Sequence, residues 1–124
     1  MDMVKQGLKN ILVVDDDQTL LDIIKEVLDH TYNVYTAPMG YHALRIIHDH
    51  AIDLITIDFL MPEMSGIDFL KELRKFNDHL PFIIISGHSP DELLKYDLIR
   101  HSSGFLSKPF TIQELRDIVA KSLK

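Results

Sequence analysis

The sequence predicts an α/β fold in which a parallel sheet is covered on both faces by helices, and two observations carry that expectation. Five short apolar runs, Ile11–Val14, Val34–Thr36, Leu54–Ile57, Phe82–Ile85 and Gly104–Leu106, recur along the chain. They are rich in Ile, Val and Phe and too short for helices, so they read as strands. Between them lie longer segments whose apolar residues return at helical spacing. Nearly continuous apolar strands alternating with helices imply strands buried on both faces and therefore parallel, joined by right-handed crossovers. The pattern is a βα unit repeated five times.

The helices follow in order. Leu20, Leu21, Ile23, Ile24, Val27 and Leu28 stripe the first; Ala43, Leu44, Ile46 and Ile47 the second; Ile67, Phe69, Leu70 and Leu73 the third. Leu93, Leu94, Leu98 and Ile99 mark a fourth, and Ile112, Leu115, Ile118, Val119 and Leu123 a fifth. Helix starts are readable. Ser65 precedes Asp68 at cap spacing, Ser89-Pro90-Asp91-Glu92 offers a cap, a proline at the first helical position and an acid, and Thr111 with Glu114 forms a capping box. Pro81 and Gly104 punctuate the approaches to the last two strands.

The 124 residues suit one domain, expected to span 1–124 with no separate output module, because no Pro/Gly/Ser linker, repeat or low-complexity stretch divides them. No run approaches the roughly 18 uninterrupted apolar residues of a membrane span, and Met1–Asn10 lacks the apolar centre of a secretion signal. There is no cysteine, which excludes disulfides and thiolate metal sites. A soluble cytoplasmic chain is the expectation. Thirteen basic against nineteen acidic side chains give a net charge of −6, and no Lys/Arg cluster exists to reward a phosphate backbone, which argues against nucleic acid as a direct partner.

In open parallel sheets ligands bind beyond the carboxyl ends of the strands, so the residues that follow each apolar run matter most. The first run leads into Asp15-Asp16-Asp17, the third into Asp58, the fourth into Ser86 and the fifth into Ser107-Lys108-Pro109. Two carboxylates about 4 Å apart repel by roughly 4 kcal/mol at an effective dielectric near 20. Acids gathered at one sheet edge therefore call for positive charge among them. Lys108 supplies one unit; a hard divalent cation would supply two more, and carboxylates with water are the ligands Mg²⁺ prefers. A carboxylate, a cation site, a hydroxyl and a lysine together make a phosphoryl-transfer set, with the carboxylate as nucleophile. Asp17 reads instead as a helix-start acid.

Val14-Asp15-Asp16, Asp58-Phe59-Leu60-Met61-Pro62 with Gly66 four residues on, Ser86, and Lys108-Pro109-Phe110 together resemble the response-regulator receiver family of two-component signalling, over roughly Asn10 to Leu123. The resemblance implies a flavodoxin-like (βα)5 fold with strand order 2-1-3-4-5. It implies that Asp58 is the phosphoacceptor, and that Asp15, Asp16, Asp58 and the backbone carbonyl of Leu60 hold Mg²⁺ or Mn²⁺. Ser86 and Lys108 would contact the phosphoryl group, Phe105 would be the switch aromatic, and Lys108–Pro109 would be a cis peptide. The implied partners are a sensor histidine kinase or histidine phosphotransfer protein, and a downstream protein bound through the fourth helix, fifth strand and fifth helix, where Lys95, Tyr96, Arg100, Gln113 and Lys121 are expected to be exposed. Leu60 and His88 occupy positions that tune acyl-phosphate hydrolysis in that family.

Other readings are weaker. Asp15-Asp16-Asp17-Gln18-Thr19 also fits the D-x-D-x-T pattern of haloacid-dehalogenase-type phosphatases, but no later strand end supplies that fold's further acidic pair, and Asp58 would be left without a role. A receiver-like interaction module that is never phosphorylated, and a receiver belonging to a larger regulator or hybrid kinase, are the remaining alternatives. The seven histidines read as surface or cap residues, since His42, His48 and His50 lack the i, i+4 spacing that would put two imidazoles on one helix face. Met61 and Met64 read as packing or loop residues.

Overall fold

The computed structural model describes residues 5–61, 64–88, 90–93 and 96–124. Its elements run β1 (Asn10–Val14), α1 (Gln18–Leu28), β2 (Asn33–Ala37), α2 (Gly40–Asp49), β3 (Leu54–Asp58), α3 (Gly66–Arg74), β4 (Phe82–Ser86), α4 (Pro90–Leu93), α5 (Asp97–Arg100), β5 (Gly104–Ser107) and α6 (Ile112–Ser122). Each strand is the expected apolar run extended by one or two residues, because the ladder continues into the flanking positions. Among the described residues the strands form one sheet in the order β2-β1-β3-β4-β5, every pair parallel. That is the order implied by the resemblance, and it sets β1 beside β3 and β4 between β3 and β5.

Alternation along each strand divides the core in two. Leu12, Val14, Ile55, Ile57, Phe82 and Ile84 face α2, α3 and the α4–α5 segment. Ile11, Val13, Leu54, Ile83 and Ile85 face α1 and α6. The helices start where the sequence marks them. The Asp17 carboxylate accepts from the Thr19 and Leu20 amides, the Ser65 hydroxyl from that of Asp68, and Thr111 and Glu114 close a reciprocal capping box.

One helix departs from expectation. The fourth is divided into α4 and α5, four residues each. Tyr96 N–H donates to the Leu93 carbonyl and Ile99 N–H to that of Tyr96, both at 3.1 Å, and Tyr96 itself belongs to neither helix. Leu93 and Ile99 are nonetheless buried, as their spacing suggested. Ser89, Leu94, Lys95 and the Pro62 of the Met-Pro motif lie outside the described residues, as do the side chains of Glu92 and Leu98. Tyr96, expected to be exposed, is half-buried against the α3-side core, whereas Arg100, Gln113 and Lys121 are exposed.

Gly66 fixes how α3 meets the end of β3. Its amide donates to the Phe59 carbonyl at 2.8 Å, and a Cβ built on it would lie 3.0 Å from both the Asp58 carbonyl oxygen and Phe59 Cα. Those are backbone atoms that cannot swing aside. Gly66→Ala should therefore lower stability by about 1–3 kcal/mol through overpacking, read as a lower urea midpoint at unchanged slope; a midpoint equal to the parent's would show that the helix start shifts freely.

Candidate functional site

The carboxyl edge of the sheet gathers the residues singled out above. Asp15 follows β1, and its amide continues the ladder by donating to the Ala37 carbonyl at 3.2 Å. Its Oδ1 accepts from the Asp17 amide at 2.9 Å, which turns the chain into α1 and leaves Asp17 to cap that helix, as expected. Asp58 is the last residue of β3. Since β1 and β3 are neighbours, the carboxylates of Asp15, Asp16 and Asp58 converge, each with an oxygen within 4.8 Å of the others. Asp15 and Asp58 are buried, at 2% and 7% exposure, and Asp16 is exposed.

Lys108 enters from the far side. Its backbone amide donates to the Ser86 carbonyl at 2.9 Å, which ties the loop after β5 to the end of β4. Its Nζ lies 3.0 Å from Asp15 Oδ2 and 3.6 Å from Asp58 Oδ2. The Lys108–Pro109 peptide is cis.

The electrostatics follow from burial and from these pairs. Burial pushes the Asp58 carboxyl up to about 6 from an ordinary 3.8; the neighbouring charge of Asp15 adds to this, Lys108 and the Leu60 amide oppose it, and Asp16 raises it further. Burial alone would lower the Lys108 ammonium, but its hydrogen bond to Asp15 and the charges of Asp58 and Asp15 hold it above its usual value. With all three acids ionised, one ammonium leaves two negative charges uncompensated in a small, largely buried space. Those groups are hard oxygen donors, one of them open to solvent, so the residues present fit a divalent ion of the Mg²⁺ type.

The remaining predicted residues sit around this cluster. Ser86 ends β4 and is buried to 1%; Asp58 pairs in register with Ile85, so Ser86 lies one residue beyond it on the adjacent strand. Phe105 pairs with Ile84 and packs half-buried on the α3-side core. Leu60 is 54% exposed beside the site. The histidines are all exposed, but two make ring contacts that spacing did not reveal: His50 with Tyr35, and His88 edge-on to Phe59 at 6.5 Å between centroids. Met61 and Met64 are buried packing residues.

The model of the response regulator receiver domain family matches residues 11–120. The chain belongs to this family. It is 39% identical over 111 residues to the transcriptional regulatory protein CpxR of Klebsiella pneumoniae, covering 87% of this chain and 46% of that protein. It is 36% identical over 109 residues to the sensor histidine kinase TmoS of Ectopseudomonas mendocina, covering 86% of this chain and 11% of that one. The receiver thus spans from about a tenth to about half the length of such relatives. Among solved structures, a receiver domain protein from Clostridium thermocellum superposes with a TM-score of 0.83 at 33% identity, covering 94% of each chain. The chemotaxis response regulator CheY4 of Vibrio cholerae superposes at 0.87 with 27% identity, covering 94% of this chain and all of that one. Family membership sets aside the phosphatase reading. No helix among the described residues is long and apolar enough to cross a membrane.

The raised Asp58 carboxyl has a thermodynamic consequence. The folded receiver keeps that proton up to about pH 6 and the unfolded chain only to 3.8, so between those values the folded state binds more protons and stability falls as pH rises. In metal-free buffer Asp58→Asn should be more stable than the parent by about 1–3 kcal/mol at about pH 7.5, and the gap should shrink several-fold near pH 4. Urea denaturation at the two pH values reads it; a gap that widens on acidification would contradict the electrostatic account.

Proposed function

We propose that this receiver accepts a single phosphoryl group on Asp58, from a histidine kinase or a histidine phosphotransfer protein, in a cytoplasmic two-component or phosphorelay pathway. The observation that carries the reading is one ammonium, Lys108 Nζ, within 3.0 and 3.6 Å of two carboxylates that converge with a third. A carboxylate Oδ of Asp58 attacks phosphorus, the bond from phosphorus to the donor's nitrogen or acyl oxygen breaks, and the donor leaves with the electron pair. Lys108 moves from pairing carboxylates to neutralising a phosphoryl oxygen, and the Ser86 hydroxyl donates to another. Asp15, Asp16, Asp58 and the Leu60 carbonyl would hold Mg²⁺ or Mn²⁺, which when bound neutralises charge on the phosphoryl oxygens. The protein acts as a signalling acceptor that catalyses only its own gain and loss of phosphate.

Phosphorylation adds about two negative charges to a site already acidic. The response is a local rearrangement rather than a new fold, in which Ser86 is drawn to the phosphoryl group and Phe105 turns inward. The output surface would be the α4–α5 segment, β5 and α6, where Arg100, Gln113 and Lys121 are exposed. It would work through protein–protein contact or onward phosphotransfer.

Incubation with a small acyl-phosphate donor should produce one phosphate-sized mass gain that requires Mg²⁺ or Mn²⁺ and vanishes in Asp58→Asn; a gain that persists in that variant overturns the assignment. Lys108→Ala should slow the gain by roughly 10- to 100-fold. The apolar, exposed Leu60 would shield the phosphoryl group from water, so Leu60→Asn should lose phosphate faster than the parent. An unchanged or slower rate refutes that role.

A further inference from the structure

We propose that Phe59, His88 and Tyr96 form an aromatic relay that carries the state of the Asp58 pocket to the junction of α4 and α5, separately from Phe105. The inference rests on the reading of Asp58 as acceptor and of Ser86 as a phosphoryl ligand.

Phe59 follows Asp58 directly and is 9% exposed. Its ring lies 5.6 Å from that of Tyr96, tilted by 48°, and 6.5 Å from that of His88, edge-on at 70°. These are the separations and orientations at which aromatic pairs attract beyond their burial. One ring therefore joins the end of β3 to two other elements, the loop after β4 and the α4–α5 junction.

The three residues differ in how they are held. Phe59 is a fixed point: its carbonyl accepts from the Gly66 amide at 2.8 Å, and Gly66 packs so closely on its Cα that not even a methyl group fits between them. His88 is tethered by the site itself. Its backbone amide donates to the Ser86 hydroxyl oxygen at 3.0 Å. Gly87 between them has open space around it, with nothing within 4 Å of where a Cβ would be. A hydroxyl drawn toward a phosphoryl group takes this tether with it or releases it, and in either case His88 shifts against the Phe59 ring, which turns on its fixed backbone and passes the shift to Tyr96. Tyr96 stands at the receiving end. Its amide donates to the Leu93 carbonyl and its carbonyl accepts from the Ile99 amide, so its backbone is bonded to both α4 and α5. A helix of four residues such as α5 has no stability of its own, so its placement depends on side chains such as this one.

The test uses the whole chain with Mg²⁺ and a small acyl-phosphate donor, with intact mass for loading and amide chemical shifts of Asp97–Arg100 for the response. Phe59→Leu keeps apolar bulk and Tyr96→Leu removes the ring at the receiving end, so one of them reports even if the other folds poorly. Both should load to the parent's stoichiometry, and each should cut the α5 shift response at least threefold. Because they act through one stack, the double variant should lose no more than the larger single loss. Responses equal to the parent's in loaded Phe59→Leu and Tyr96→Leu, or losses that multiply in the double variant, overturn the relay alone. A parent that gains no phosphate overturns the acceptor reading first and the relay with it.

Discussion

Like charges collected at one sheet edge must be held apart or neutralised, and here the burden falls on Lys108. Asp15 and Asp58 adjoin because β1 and β3 are neighbours, with strands about 4.8 Å apart. Lys108 comes from the other side of β4, two spacings away from β3, so a long stem is needed to bring an ammonium to both acids. The strand order, the tie between the Lys108 amide and the Ser86 carbonyl, and the bonds to Asp15 and Asp58 are parts of one arrangement. Lys108 is closer to Asp15 than to Asp58, and that asymmetry matters. It leaves Asp58 farther from the ammonium; burial first, then the charge of Asp15, raises its carboxyl to about 6, and an under-neutralised buried carboxylate is one that gains from a further cation.

Most of this architecture was legible in the sequence, for physical reasons. Apolar runs too short for helices mark strands, and stripes at helical spacing mark α1, α2, α3 and α6. Ser65, Thr111 and Asp17 cap helices because their oxygens answer amides that nothing else can satisfy. The site residues were legible because a parallel sheet delivers all its strand ends to one edge: topology alone makes Asp15, Asp58, Ser86 and Lys108 neighbours.

What escaped depends on loop geometry rather than on periodicity. Leu93 and Ile99 are both buried, so their spacing was informative, yet it does not show that Tyr96 breaks the helix. Tyr96 was expected at the surface because the resemblance places it on the output face; its half-burial goes with its ring contact to Phe59, a contact across elements with no local signature. His88 likewise looked like a loop residue. Only the three-dimensional return of the β4–α4 loop sets its ring beside Phe59.

The two flanks of Asp58 are built to different standards of rigidity. On the α3 side, a glycine with backbone atoms 3.0 Å from its missing Cβ, a capped helix and the buried side chains of Ile67, Phe69 and Leu70 leave no room to move. On the β4 side, the Ser86 hydroxyl accepts from the His88 amide, Gly87 stands in open space, and α5 is a single turn. On the proposed function, a change of about two charges at the pocket would meet a closely packed wall on the α3 side and would act on the β4 side through the Ser86 hydroxyl and the His88 amide it accepts from. Such a division would let the site respond while the sheet that assembles it stays intact, because the acids and the lysine hang from strand ends fixed in the ladder.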